Sequence, residues 1–197
     1  MSSVQQQYSY CAGVLPYTIF NNRIYFLLGK SKRGNRLTTF SGKNDTYDVD
    51  VCATAARECY EETLGCLMDQ GDLTTRIRAC NEESTLLSTT PRGMPCYTYV
   101  IEIPYKKFYG ISFHKTRDFL QVMNIRSYAL QEMLDIKWIC GRSMFTKIRH
   151  QWEKHGTLSA QEEWLKLEVI AKFQHIEPTT WRRFDCVEDM SDSDIDK

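Results

Sequence analysis

With 197 residues, 42% of them hydrophobic and 25% charged, the chain has the composition of a globular protein with one full core and is too short for two large domains. Its formal net charge is zero, but five acids between Glu188 and Asp196 leave residues 1–187 with 24 basic against 20 acidic side chains. That surplus suits a phosphate-bearing ligand and falls short of the strong basic bias of a dedicated nucleic-acid binder. No apolar run approaches the roughly 20 residues of a membrane span, and Met1 to Gln7 is polar, so a cytosolic or nuclear location is expected.

In chain order, Tyr8 to Phe20 is rich in aromatic and β-branched residues, and Arg23 to Leu28 continues apolar after Asn21-Asn22. The pair reads as a hairpin with an Asn-Asn turn. Lys30 to Asn35 reads as a basic connection, Thr38 to Gly42 as the next strand, and residues 49–64 as a helix. Cys96 to Pro104 alternates and stops at a proline, which predicts a strand, and Asp135 to Cys140 predicts another. Gly141 to His155 and Ala160 to Gln174 carry helical periodicity; Ser159 and Glu162 form a capping box, and Trp164, Leu167, Ile170, Ala171 and Phe173 an apolar stripe. Strands mixed with a few helices predict an α/β chain in the broad sense, an α+β or α-β-α layered domain.

The eight cysteines stand singly, and Cys52, Cys59 and Cys66 recur every seven residues, the spacing of one helix face and not of a paired zinc motif. Reduced, packed thiols are expected. The tail, Glu-Asp-Met-Ser-Asp-Ser-Asp-Ile-Asp, reads as disordered.

The chemistry concentrates in residues 57 to 65, Arg-Glu-Cys-Tyr-Glu-Glu-Thr-Leu-Gly. On a helix, Glu58, Glu61 and Glu62 fall within an arc of roughly 100°, while Cys52, Ala56, Cys59 and Thr63 point the other way. Like charges so close repel, and a divalent cation bound by oxygen ligands neutralises them. A solvated acidic helix face is the competing reading of the spacing alone.

Upstream lie Thr38-Thr39-Phe40-Ser41-Gly42-Lys43 and a polar loop, Asn44 to Asp48, so the order is strand, loop and acidic helix. This order resembles the Nudix box: Gly, five residues, Glu, seven residues, then Arg-Glu-apolar-x-Glu-Glu-x-Gly. Arg57, Glu58, Cys59, Glu61 and Glu62 match position by position, and Gly42 matches the leading Gly with one extra residue between. The early Glu of the pattern falls on Val49, flanked by Asp48 and Asp50, and its final Gly falls on Leu64, with Gly65 next as a helix cap.

The resemblance implies a mixed sheet between helices over roughly residues 8–175, after a flexible segment 1–7 and before a C-terminal segment 176–197. It implies Mg²⁺ or Mn²⁺ on Glu58, Glu61 and Glu62, with Arg57 holding the helix face and loop by charge-assisted hydrogen bonds. It also implies a general base just before a late strand, which makes Glu132 the first candidate and Asp135 the second. Lys43 beside Gly42, with Lys30, Lys32 and Arg33, would meet phosphate oxygens or be ordinary surface charges. Tyr17, Tyr47, Tyr97, Tyr99, Phe108 and Tyr109 are candidates to stack on a base, and His114 and His175 read as surface or core residues.

The expected activity is metal-dependent hydrolysis of a diphosphate linkage in a nucleoside diphosphate derivative, a dinucleoside polyphosphate or a diphosphoinositol phosphate. Glu-Glu-Thr-Leu-Gly followed by extra helices is also similar to Nudix proteins of large DNA viruses, some of which remove messenger RNA caps, so capped RNA is an alternative substrate. A binding module of this fold without hydrolysis is a second alternative, motivated by Val49. A third is an interaction protein whose acidic tail recruits a basic partner.

Overall fold

The structure is a computed structural model, and it describes residues 9–141 apart from 22, 34–36, 91, 126 and 128. The two helices expected in 141–155 and 160–174, the tail, and the boundary at 175 lie outside the described residues.

β1 (Cys11–Phe20) and β2 (Arg23–Ser31) form the expected hairpin, with Phe20 opposite Arg23 and Asn21 in the left-handed region at φ 50°. Asn is among the few residues that tolerate that backbone. The hairpin partners stay paired only from Tyr17–Phe26 to the turn. Beyond that point they part, and two short strands fill the fork: β3 (Leu37–Thr38) pairs β2, and β4 (Phe40–Lys43) pairs β1. The single strand expected at 38–42 is therefore split at Thr39. Because β2 runs on to Ser31, Lys30 belongs to a strand and not to the connection expected there.

The far edge of β2 carries β7 (Met133–Cys140), antiparallel, and the far edge of β1 carries β6 (Pro95–Glu102), parallel and in register from Cys11–Cys96 to Tyr17–Glu102. β5 (Thr85–Thr89) closes that side against β6. Among the described residues the result is a mixed seven-stranded sheet with three helices, the fold class expected.

α1 (Val51–Glu62) packs on β1 and β4. α2 (Gln70–Arg78) lies against α1, and α3 (Phe108–Val122) against β7. Alternation along β1 sends Ala12 and Val14, and along β6 Tyr99 and Ile101, into one cluster with Ala55, Ala56 and Cys59 of α1. Leu73 and Ile77 of α2 and Tyr109 and Phe113 of α3 join it, so all three helices cover one sheet face. The cysteines behave as packed thiols: Cys59 is fully buried, Cys52 meets the Tyr99 hydroxyl at 3.5 Å, and Cys66 lies 4.0 Å from the Thr116 hydroxyl.

α1 ends on two successive left-handed residues, Leu64 at φ 55° and Gly65 at φ 67°. The Gly65 amide reaches the Tyr60 carbonyl at 2.8 Å. Leu64 thus keeps the backbone of the glycine that the motif would have there, at a cost of roughly 1–2 kcal/mol, and packs its side chain against the core instead. The cap that the sequence places at Gly65 is therefore present and is shared with Leu64.

No helix in the described residues is long and apolar enough to cross a membrane. α2 anchors through little more than Leu73 and Ile77, which are buried. Truncation by Leu73→Ala is expected to cost about 2–5 kcal/mol of unfolding free energy, read from denaturant melts.

Candidate functional site

Asp50 starts α1. Its extended backbone lets one carboxylate oxygen accept from the Ala53 amide at 2.7 Å, while the other meets Arg78 of α2 at 2.9 Å. The cap hydrogen bond, followed by the Arg78 contact, outweighs partial burial and holds the Asp50 carboxyl below its ordinary value. One residue earlier, Val49 points outward at 82% exposure, and one earlier still, Asp48 turns inward.

Arg57 joins these parts. Its Nε and Nη2 donate to the two oxygens of Asp48 at 3.0 and 2.8 Å, a bidentate grip across the loop. Nη2 also donates to the Lys43 carbonyl at 3.0 Å, and Nη1 to Glu58 at 2.8 Å and Glu61 at 3.1 Å. Asp48 accepts further bonds from the Thr54 hydroxyl at 2.9 Å and the Asp45 amide at 2.8 Å. Burial alone would raise the Asp48 carboxyl; Arg57 and these donors overcome it and lower it.

The carboxylates grade from rim to floor. Side-chain exposure is 28% at Glu61 and 12% at Glu58, and Glu62 is buried. Glu62 lies near Cys59 and meets the Ser41 backbone of β4, so it does not share the solvated face that helical spacing alone assigns it. Glu58 lies over Gly42: a Cβ there would stand 2.3 Å from the carboxyl carbon and 2.3–2.4 Å from both oxygens. Only glycine leaves that room. The Ser41 amide donates to the Glu62 carboxylate, yet Glu62 Oε2 is buried without a hydrogen-bond partner among the described residues.

Burial is the main cause that raises Glu58, aided by the charges of Glu61 and Glu132 and opposed by Arg57. Burial, then Glu58 and also Glu132 and Glu61, raise Glu62 further. Glu132 therefore stands close enough to bias both, just after a 3₁₀ turn at Ala129–Gln131 that touches α1, and its carbonyl accepts from the Lys32 amide at 2.8 Å. Asp135, the second base candidate, is engaged by His114 at 3.0 Å and sits opposite Lys30 across β2 and β7.

Lys43 is exposed beside Gly42, at the mouth of the carboxylate group. Lys30 sits between Leu37 and Asp135 on its neighbouring strands. Of the aromatics, Tyr99 and Tyr109 are core residues; Tyr47 at 90% exposure tops the loop that Arg57 anchors. Sequence reasoning missed the anchoring role of Asp48 and the Ser41 amide. Three acids at 45, 48 and 50 were visible, but nothing in their spacing showed which one turns inward.

Among the described residues no three His, Cys, Asp or Glu side chains stand as a preformed metal cage. Glu58 and Glu61 are turned to Arg57 instead. The donors still fit a hard divalent cation: they are all oxygen, they are held together against their mutual repulsion, and one buried oxygen lacks a partner.

Two outcomes follow from this arrangement. Above the ordinary carboxyl value the folded protein holds protons on Glu58 and Glu62 that the unfolded chain has released, so stability falls as pH rises through that window. Asp48 and Asp50 act in the opposite sense, and their contribution is lost as pH drops through and below the ordinary aspartate value near 3.8. The metal-free protein is expected to melt higher near about pH 5 than near pH 8, and excess Mn²⁺ to remove most of that difference by replacing the protons. A melting temperature indifferent to both pH and Mn²⁺ would contradict the assignment. Separately, Gly42→Ala should displace the Glu58 carboxylate and weaken Mn²⁺ binding, measured by titration calorimetry, while the far-ultraviolet spectrum is retained.

No family model matches the chain, and no curated protein matches it in sequence. Among solved structures it is similar to the NUDIX domain of Shewanella oneidensis NrtR complexed with ADP ribose, at 12% identity over 84% of this chain and 86% of that one, with a TM-score of 0.45. It is also similar to C. elegans Ap4A hydrolase, at 13% identity over 85% and 97% of the two chains and a TM-score of 0.40. The structure of a Listeria monocytogenes protein described as a putative Nudix hydrolase is similar at 11% identity over 83% and 94%, again with a TM-score of 0.40. Likenesses this distant carry no argument about which residues here do chemistry, which rests on the chain's own carboxylates.

Proposed function

We propose that the chain is a divalent-metal-dependent hydrolase of the Nudix type, cleaving a diphosphate linkage in a nucleotide-type substrate. The observation that supports this reading best is the buried, unpartnered Oε2 of Glu62 beside Glu58, Glu61 and Glu132. A carboxylate held so is costly unless a proton or a cation answers it. Burial is thus a reason for metal affinity and not only for a raised carboxyl.

Glu58, Glu61 and Glu62 would hold Mg²⁺ or Mn²⁺. When bound, such an ion offsets charge on phosphoryl oxygens and makes water more acidic. The chain's own residues do the rest. Arg57 keeps Glu58 and Glu61 in reach of each other and fixes the loop through Asp48. Lys43 and Lys30 supply cationic charge for phosphate oxygens, and Glu132, close enough for its charge to raise both Glu58 and Glu62, takes the proton of the attacking water. Water adds to phosphorus, the bridging P–O bond breaks, and the leaving phosphate carries the electrons away. The substrates in view are nucleoside diphosphate derivatives, dinucleoside polyphosphates and diphosphoinositol phosphates, with capped RNA as the alternative.

A second reading, a ligand-binding module without turnover, is favoured by Val49, which is exposed and ionically inert where the motif has an acid. Phosphate release from a panel of these compounds, with and without Mg²⁺, separates the two readings. Metal-dependent release from one class supports the hydrolase; tight binding with no release from any supports the module.

Glu61→Gln and Glu62→Gln are each expected to lower metal-dependent activity by at least the roughly 10- to 100-fold that losing a supporting residue costs a metal site. Glu62→Gln should also lessen the fall of the metal-free melting temperature with rising pH, since it removes a buried group that titrates. Glu132→Gln is expected to slow turnover by about 10²–10⁴-fold while Mn²⁺ affinity changes little.

A further inference from the structure

The parallel register of β1 and β6 sets Cys11 directly opposite Cys96. Directly paired residues on neighbouring strands point to the same sheet face, and these two thiols are hydrogen-bonded to each other. Adjacent strands lie about 4.8 Å apart, inside the roughly 4.4–6.8 Å between Cα atoms that a disulfide spans. Both cysteines are free and both are partly exposed.

Their surroundings make them unequal. Cys96 takes the Cys11 hydrogen bond and further ones from Thr98 and from Ser88, its partner in β5. With the Cys11 bond first, these donors outweigh burial and bring the Cys96 thiol down to about 7, while the same contact, then burial, pushes Cys11 up. A thiolate is the form that attacks peroxides. The other packed thiols differ: burial pushes Cys59 and Cys66 up.

We propose that Cys11 and Cys96 are a reversible oxidation site, at which a hydroperoxide oxidises Cys96 and Cys11 then closes a disulfide between β1 and β6. In the first step the Cys96 thiolate attacks one peroxide oxygen, the O–O bond breaks, and the departing oxygen takes a proton to leave as water or alcohol. Cys96 is left as a sulfenic acid. In the second, the Cys11 sulfur attacks the Cys96 sulfur, the S–S bond forms as the S–O bond breaks, and the Cys11 proton leaves with the hydroxide as water. Two thiols lose two electrons and the peroxide gains them. A dithiol reductant reverses the sum by exchange.

The bridge would sit beside the acidic site without belonging to it. Cys11 is paired with Lys43 across β4, next to the Gly42 that seats Glu58.

The test is to oxidise the full chain with stoichiometric hydrogen peroxide, block remaining thiols and map the peptides by mass spectrometry. The expected result is a Cys11–Cys96 linked peptide that forms before any other disulfide and disappears with dithiothreitol. In Cys11→Ser the sulfenic acid should persist, so that a dimedone adduct at Cys96 rises several-fold over wild type. Oxidation of Cys96 to sulfinic acid without linkage in the wild type, or earlier linkage of other cysteines, would overturn the proposal. The wild-type map stands whether or not the variant folds.

Discussion

The bidentate grip of Arg57 on Asp48 is the contact on which the acidic site depends. It ties the loop that follows strand β4 to the second turn of α1, and the same guanidinium holds the Lys43 carbonyl, Glu58 and Glu61. Five acceptor contacts on one planar cation set the height of α1 above β4, and with it the distance of the carboxylates from Gly42. Lysine, a point charge without the planar fork, could not make the same set.

Around that contact two demands oppose each other. Packing α1 on the sheet takes Glu62 out of water along with Cys59 and Ala56, whereas mutual repulsion among Glu58, Glu61, Glu62 and Glu132 favours spreading into it. Arg57 answers part of the charge, chiefly at the rim. The floor is left with the Ser41 amide on one side and an unanswered oxygen on the other. That unanswered oxygen is the feature that the proposed cation would meet.

The parts of this picture that were legible in the sequence are those with a strong local signal. The acid spacing on a helix, the Asn-containing hairpin and the alternating strand at 96 each carry their own periodicity or turn chemistry. α2 was not legible because Gln-Gly-Asp-Leu-Thr-Thr-Arg-Ile-Arg is nearly all polar and anchors through a single i, i+4 pair, Leu73 and Ile77. α3 mixes Gly110 with aromatic and β-branched residues, which suit a strand as well as a helix, and only its packing on β7 decides between them. The inward turn of Asp48 was hidden for another reason: it is made by Arg57, Thr54 and Asp45 together, a tertiary fact with no imprint on the spacing of acids.

The fork in which β3 and β4 lie makes alignment a matter of function as well as of folding. β4 is four residues long and is held to β1 by a ladder of four pairs, Cys11–Lys43 to Val14–Phe40. Were that ladder to slip by a single place, every side chain of β4 would change faces. Ser41 or Lys43 would then be thrust beneath Glu58, and Phe40 would leave the core for the opposite surface. Steric exclusion at one glycine and burial of one phenylalanine therefore proofread the same alignment from opposite ends of a four-residue strand.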